Sequence, residues 1–238
     1  MTKNEKTGAK TEIVGHQKEN FLTKITEFFN QYQKIIYGTL TALLAIILLI
    51  ILGNRFYLQP KMEKGTAMIL KPIEYYNTAL QTGDTLLFQK ALEGDEEYEG
   101  FEAIIEQCKM TRIANTARYF AGLCYLNMGQ KEEALDYFKK FKHKENVYWY
   151  ACQALIGDIY DDMQDESTAM KYYKKAVKGD DPYYTPIALF KLGQMYEKQD
   201  KWKDALAQYE KIEQKYYQQY QVMGVEKFAE KAKYKVAQ

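Results

Sequence analysis

The sequence predicts an all-α protein in which a single N-terminal transmembrane helix precedes an α-α superhelical array of helix pairs. Two observations support this fold class. Residues 35–54 form an apolar run without a charged side chain, and residues 120–212 contain three copies of one pattern of small and aromatic residues. The composition agrees, because 238 residues include 4 prolines and 14 glycines while 47% of the residues are apolar.

Residues 1–34 are predicted to form a cytoplasmic tail that contains an amphipathic helix from about residue 20. Apolar side chains recur at helical spacing from Phe21 to Ile36, and lysines and glutamates fill the other face. Such a helix lies at a membrane surface or docks on the membrane-embedded part of a partner. The sequence leaves both interpretations open.

Residues 35–54 are predicted to cross a membrane, from Ile35 to Asn54. At about 1.5 Å per residue a helix of this length reaches ~30 Å, which is the thickness of the hydrocarbon core. Lys34 and Arg55 bracket the apolar run. A cleaved signal peptide fits less well, because 34 residues precede the run and no small-x-small cleavage site follows it. We therefore expect a retained, single-pass anchor.

Two features of the sequence point to opposite topologies. The short tail carries six lysines and four glutamates, and a short basic tail before a first helix usually stays in the cytoplasm. This predicts that the repeat domain lies outside the cytoplasm, which in a bacterium means a single-pass inner-membrane protein with a periplasmic repeat domain. In contrast, basic residues also follow the span, and three cysteines without an even pairing are more typical of a reducing compartment.

Residues 55–114 are predicted to contain a linker and a divergent first helix pair. One helix is expected within residues 61–80 and another within residues 100–108, separated by a polar insertion at 81–99. Atypical terminal units of this kind are common at the ends of repeat arrays.

Residues 115–216 are predicted to form three repeats, marked by Gly122, Gly157 and Gly193 at spacings of 35 and 36 residues. Each glycine is followed at fixed offsets by a tyrosine, an alanine and an aromatic residue: Tyr125, Tyr160, Tyr196; Ala134, Ala169, Ala205; Phe138, Tyr173, Tyr209. We expect the small residues to let two helices approach closely and the aromatic residues to fill the space beside them.

Turn signals separate the predicted helices. Turns within the pairs are expected at Met128–Gln130, Met163–Asp165 and Gln199–Asp200. Thr185 is expected to cap the first helix of the third pair, with Pro186 in its first turn. Residues 217–238 are predicted to form one amphipathic helix that caps the array.

This pattern resembles the tetratricopeptide repeat family, whose period is about 34 residues. The resemblance implies stacked helix pairs with one continuous core, which bind protein partners along a concave face made by the first helix of each pair. Matching the family pattern onto this chain places ten candidate partner-binding residues on that face: Tyr119, Phe120, Leu123, Leu126, Leu155, Asp158, Asp161, Asp162, Phe190 and Gln194.

An aromatic and apolar patch beside an acidic cluster suits an amphipathic or basic partner segment. Two alternatives remain open: the preceding helices cover the aromatic residues, or the acidic residues form an ordinary solvated face. Members of the family that bind the carboxy-terminus of cytosolic chaperones carry Lys, Arg and Asn on this face. Here the corresponding residues are largely aromatic, apolar or acidic, so that activity is not expected.

The layout of the whole chain also resembles membrane-anchored bacterial ancillary subunits of the Sec translocon. This resemblance implies partners among translocon subunits and an anchored periplasmic chaperone, and a role in helping secreted proteins. Anchored scaffolds for cell-envelope assembly or cell division, and a cytoplasm-facing adaptor, have the same layout and remain alternatives.

No catalytic or cofactor motif is found in the sequence. It contains no phosphate-binding glycine loop, no HExxH motif and no cysteine spacing typical of a metal site. The formal net charge of +1 gives no basic surface for nucleic acid. Asp158 and Asp162 are the only faint candidates for a catalytic carboxylate pair. We therefore expect a binding scaffold that is not an enzyme and has no cofactor, metal or small-molecule substrate. Cys124 and Cys152 are expected to be buried structural thiols.

Overall fold

A computed structural model of the protein describes the backbone of residues 5–142 and 146–238, and their side chains except those of residues 5–22, 24, 25 and 29. These described residues are predominantly helical and include no β-strand. The helices confirm the predicted all-α class. The chain divides into two compact units, residues 1–59 and 60–238.

The first unit consists of one long helix, α1 (Glu5–Gly53), followed by a π-helical turn at Asn54–Leu58. Apolar side chains along its second half are exposed, for example Leu49 at 68% and Ile50 at 65%. Among the described residues, this is the one place where a helix is long and apolar enough to cross a membrane. Its most apolar 18-residue window has a mean hydropathy of 2.8, and no part of that window is buried.

The predicted amphipathic segment at residues 20–36 lies within α1, and only some of its side chains are described. Phe28 and Tyr32, one helical turn apart, are exposed and have ring centroids 4.8 Å apart. Residues 1–4 of the predicted tail lie outside the described residues.

The second unit is an array of packed helices. It begins with α2 (Gln59–Met68), α3 (Leu70–Thr82), α4 (Thr85–Glu93) and α5 (Phe101–Gln107). Three pairs follow: α6 (Arg112–Asn127) with α7 (Lys131–Lys139), α8 (Val147–Asp162) with α9 (Glu166–Ala176), and α10 (Tyr184–Lys198) with α11 (Trp202–Lys215). The array ends with α12 (Tyr217–Val222) and α13 (Glu226–Val236). Neighbouring pairs pack through α7 on α8 and α9 on α10, and α13 packs on α11.

The three repeat glycines mark the closest approach of the helices within each pair. A Cβ atom added to Gly122 would lie 2.5 Å from Cε1 of Phe138, and one added to Gly157 would lie 2.7 Å from Cδ1 of Tyr173. At Gly193 the added atom would overlap the ring of Tyr209. The predicted glycine–aromatic packing is therefore confirmed in all three repeats.

The turns within the three pairs share one conformation. Gly129, Gln164 and Asp200 have positive φ angles of 78°, 63° and 55°. In each repeat the N–H of the following residue donates a 2.9 Å hydrogen bond to the carbonyl oxygen of the repeat tyrosine, Tyr125, Tyr160 or Tyr196. A left-handed residue with such a bond closes the end of a helix. The predicted turn positions are confirmed.

The segment 81–99, which was predicted to be a polar insertion, contains α4. Gly83, with a φ angle of 74°, ends α3, and the Asp84 carboxylate caps α4 by accepting a 3.0 Å hydrogen bond from the N–H of Leu86. Phe88 and Leu92 bury one face of α4 against α3. The divergent first pair is thus α3 with α4, while α5 packs on α6. A short helix among charged residues carries a weak periodic signal.

Thr185 is not the N-cap that the sequence suggested. It lies inside α10, where its hydroxyl donates to the carbonyl oxygen of Gly179 at 3.2 Å and accepts from the N–H of Asp181 at 3.0 Å. The Asp181 carboxylate takes the capping role by accepting from the N–H groups of Tyr183 and Tyr184. Pro186 lies in the first turn of α10, as predicted.

The C-terminal segment forms two helices where one was predicted. Gly224, with a φ angle of 61°, follows the end of α12 and turns the chain before α13. As a result, Val222 is 88% exposed, whereas Val225 and Ala229 are fully buried. The break at Gly224 therefore turns Val222 away from the buried face that Val225 and Ala229 occupy.

Candidate partner-binding surface

The ten predicted partner-binding residues lie on α6, α8 and α10, the first helices of the three pairs. Their exposure differs widely. Tyr119 is buried, Asp162 is exposed, and eight are half-buried: Phe120, Leu123, Leu126, Leu155, Asp158, Asp161, Phe190 and Gln194. The predicted surface therefore divides into a packed part and a reachable part.

Tyr119 belongs to the packed part. Its side chain is 5% exposed, its ring centroid lies 4.7 Å from that of Tyr148, and its hydroxyl oxygen lies 2.5 Å from the hydroxyl oxygen of Tyr184. Burial raises the pKa of the Tyr119 phenol far above its usual range. The side chain of Tyr119 therefore has almost no exposed surface with which to make the partner contact that the sequence had predicted.

Phe120 is covered by the helices that precede the repeats. Its ring stacks on Phe101 of α5 at a centroid distance of 5.7 Å and meets Tyr76 of α3 edge-on at 5.5 Å. Leu123 packs against the same core. The alternative that the divergent N-terminal helices cover these residues agrees with the structure.

The acidic residues of α8 each have a partner within the array. The Tyr173 hydroxyl donates a 2.6 Å hydrogen bond to Asp158. Lys191 Nζ lies 3.4 Å from Asp161 Oδ2, and Lys131 Nζ lies 3.0 Å from Asp162 Oδ2. A basic partner segment would have to displace these lysines.

Asp158 and Asp162, the candidates for a catalytic carboxylate pair, each contact a side chain of a neighbouring helix. Burial raises the pKa of Asp158, partly offset by the Tyr173 hydrogen bond, and Asp162 is exposed in its ion pair. Within the described part of the chain, no group of three or more His, Cys, Asp or Glu side chains could hold a metal ion.

The reachable part of the surface includes a cavity of about 370 Å³ at the third repeat, which we call the third-repeat cavity. It is lined by Asp161, Lys191, Gln194, Met195, Glu197, Lys198, Trp202, Phe228 and Lys231. Asp161 and Gln194 were predicted from the sequence. Lys231 Nζ forms a 2.6 Å ion pair with Glu197 and lies 5.2 Å from the centre of the Trp202 ring.

Three lining residues of this cavity were not predicted from the sequence: Trp202, Phe228 and Lys231. Trp202 lies on a second helix, and the other two lie on α13, which has no counterpart in the repeat pattern. Phe228 also covers Phe190, because their rings meet edge-on at 4.9 Å. Only the docking of α13 on α11 brings Phe228 and Lys231 to the cavity.

The three cysteines are buried and free. Burial raises the pKa of the Cys124 thiol to about 12, and it raises the pKa values of Cys108 and Cys152 as well. Thiols of this kind are inert, because the thiolate is the reactive species. The predicted structural role of Cys124 and Cys152 agrees with this burial.

Three segments of the chain match two family models, both described as tetratricopeptide repeat. One model matches residues 150–180, and the other matches residues 117–145 and 187–216. No curated protein and no solved structure matches this chain. The matched segments coincide with the pairs α8–α9, α6–α7 and α10–α11. The chain therefore contains three tetratricopeptide repeats, which are typical of non-enzymatic scaffolds for protein–protein interaction.

Proposed function

We propose that the protein is a scaffold anchored in a bacterial inner membrane by residues 35–54, with its repeats in the periplasm, and that it serves as an accessory subunit of the Sec translocon. In this role the repeats hold a secreted protein or recruit an anchored periplasmic chaperone. The observation that carries the proposal is the combination of an uncovered apolar helix with a repeat array on one chain.

The support for the anchor is the exposure of its apolar side chains. Residues of the apolar run such as Leu43, Ile47 and Leu49 are about half exposed or more. In water this surface would be unfavourable at roughly 25 cal/mol per Å². Hydrocarbon removes that cost, and a continuous helix satisfies its own backbone hydrogen bonds there.

The support for partner binding lies at the third-repeat cavity. It combines aromatic walls from Trp202 and Phe228 with charged groups of both signs, including Lys198 and Glu197. Aromatic anchors with a polar rim are typical of protein interfaces. The half-buried Gln194 lies among them and can donate to and accept from a peptide backbone.

The topology can be tested by adding protease to intact spheroplasts. We expect residues 60–238 to be degraded while the tail before residue 35 is protected. If the repeat unit is protected and the tail is cut, the domain faces the cytoplasm, and the cytoplasm-facing adaptor replaces the present proposal.

The partner class can be tested by photo-crosslinking in cells from an unnatural amino acid at Gln194, with a second probe at Leu49 in the apolar run. A probe at Ser167, which is exposed on a second helix, serves as the matched control. We expect translocon subunits or an anchored chaperone from Gln194 and Leu49 but not from Ser167. Recovery of only division or envelope-assembly proteins would overturn the secretion assignment and retain the scaffold class.

A further inference from the structure

A second groove lies on the outer side of the array, between the second helices α7 and α9. Its cavity has a volume of about 490 Å³. The floor comes from α8 through Trp149, Gln153 and Ile156, whose spacings of four and three residues place them on one helix face. Leu155 and Asp158 do not line it, so this groove is distinct from the surface predicted for the concave face.

Three lysines surround the groove. Lys139 is the last residue of α7, Lys142 lies in the loop that follows α7, and Lys175 lies on α9. All three are exposed, and within the described residues none forms an ion pair with a carboxylate and no acidic side chain lines the groove. Lys175 Nζ lies 4.2 Å from the centre of the Tyr172 ring, and Lys139 donates to the Tyr160 hydroxyl at 2.8 Å. In contrast, Lys131 and Lys198 are each paired with a carboxylate.

The Gln153 side chain gives independent evidence for a ligand. Gln153 is 5% exposed, and among the described residues no group makes a hydrogen bond to its side-chain amide. No side-chain polar atom in that part of the chain is sealed from solvent without a partner. The amide atoms are therefore not sealed from solvent, and Gln153 is one of the residues that line the cavity. A buried amide without a protein partner offers both a donor and an acceptor, which a peptide backbone can satisfy.

We propose that this outer groove binds an acidic peptide segment of a partner protein. The carboxylates of the peptide lie among Lys139, Lys142 and Lys175, its backbone bonds to the Gln153 amide, and an apolar side chain packs on Trp149. A free phosphate or similar small anion would satisfy the lysines but would leave the half-buried ring of Trp149 uncovered. The inference stands on a different surface from the function proposed above and does not depend on it.

The test uses the full chain in detergent micelles, with Trp202→Phe as background, because the protein has two tryptophans and Trp149 then reports alone. The probe is the capped peptide Glu-Asp-Leu-Glu-Asp-Leu, and its neutral counterpart is Gln-Asn-Leu-Gln-Asn-Leu. We expect the acidic peptide to change the emission of Trp149 in a saturable way and the neutral peptide to leave it unchanged.

Charge variants locate the site. The double variant Lys139→Gln/Lys175→Gln should weaken binding by about tenfold or more. The matched control Lys109→Gln/Lys215→Gln removes the same charge at two exposed lysines that are paired with Glu106 and Asp180 and line neither cavity, and it should stay within about twofold of the parent protein. Gln153→Leu should weaken binding without changing the helical circular dichroism.

Three results would overturn the proposal. The first is equal binding of the neutral peptide, and the second is an equal loss in the control double variant. The third is saturable binding of inorganic phosphate that depends on Lys139 and Lys175 while the acidic peptide does not bind, which would assign the groove to a small anion.

Discussion

The hydroxyl oxygens of Tyr119 and Tyr184 lie 2.5 Å apart, so a hydrogen bond joins the first helix of the first repeat to the first helix of the third. The two residues are separated by 65 positions in the sequence. Between them, Tyr148 of the second repeat packs its ring on Tyr119. One tyrosine cluster thus connects all three repeats and covers part of the face that the family pattern assigned to partners.

Removing this link should destabilise the array. Tyr184→Phe keeps the ring but leaves the buried Tyr119 hydroxyl without its partner, so the free energy of unfolding should fall by about 1 kcal/mol. Urea denaturation of the full chain in micelles, followed by circular dichroism, measures the change. Tyr183→Phe is the matched control, because Tyr183 is 63% exposed and should give a change near zero. Equal losses in both variants would contradict the assigned role of the hydrogen bond.

Gly157→Ala should overpack the second repeat. The added Cβ atom would lie 2.7 Å from the Tyr173 ring, which is fully buried and has little room to move. The expected loss is about 1–3 kcal/mol, partly offset by the roughly 1 kcal/mol helix preference of Ala over Gly. Thermal denaturation measures the net change. Ser167→Ala at an exposed position of α9 is the control. A melting temperature of Gly157→Ala above that of the parent protein, as the helix preference of Ala alone would give, would contradict the close contact with Tyr173.

Asp158 should make stability depend on pH. Its pKa is raised in the folded state, mainly by burial, while Lys191 and Tyr173 lower it and Asp161 and Asp162 raise it. The folded protein therefore holds the proton more tightly than the unfolded chain does. The resulting stabilisation is complete below the ordinary carboxyl pKa and is lost as the pH rises through the raised value.

Asp158→Asn removes that pH dependence, because the amide oxygen accepts the Tyr173 hydrogen bond at every pH. The difference in melting temperature, variant minus parent, should therefore be larger at pH 7 than at pH 4. Asp162→Asn, which removes a carboxyl at an exposed and paired position of the same helix, is the matched control. If the difference in melting temperature between Asp158→Asn and the parent protein were constant with pH, the pKa of Asp158 in the parent protein would not be raised.

The three cysteines should be unreactive in the native protein. All are buried, and burial raises their pKa values, to about 12 for Cys124. At pH 8 an aromatic disulfide reagent should label none of them quickly in the folded chain and all three after denaturation. Rapid labelling of the native protein would contradict the burial of at least one thiol.

The sequence by itself determined the helix pairs and their turns. The offsets between Gly157 and Tyr173, and between each repeat glycine and its aromatic partner, are local, because both residues lie on one pair joined by a short turn. The packing within each helix pair can therefore be predicted from the sequence of that pair alone. The left-handed residues Gln164 and Asp200 follow from the same local pattern, since the helix must end there with its carbonyl groups satisfied.

Short or interrupted helices were harder to predict. Helix α4 has too few turns to show a clear period. At the C-terminus, Gly224 breaks the chain into α12 and α13, and the spacing of apolar residues does not reveal this break. Thr185 and Asp181 both carry oxygen atoms suited to capping. The local backbone conformation decided that Asp181 takes that role.

Only the tertiary structure decided which parts of the predicted binding face are accessible. Tyr119 is buried and Phe120 is partly covered by residues from other helices, up to 65 positions away in the sequence. The lysines that pair with Asp161 and Asp162 also come from other helices. These contacts form when one helix pair stacks on the next. The repeat pattern in the sequence does not change with that stacking, so it cannot predict which residues are covered. The outer groove at Gln153 has the same origin, because its walls come from two successive repeats.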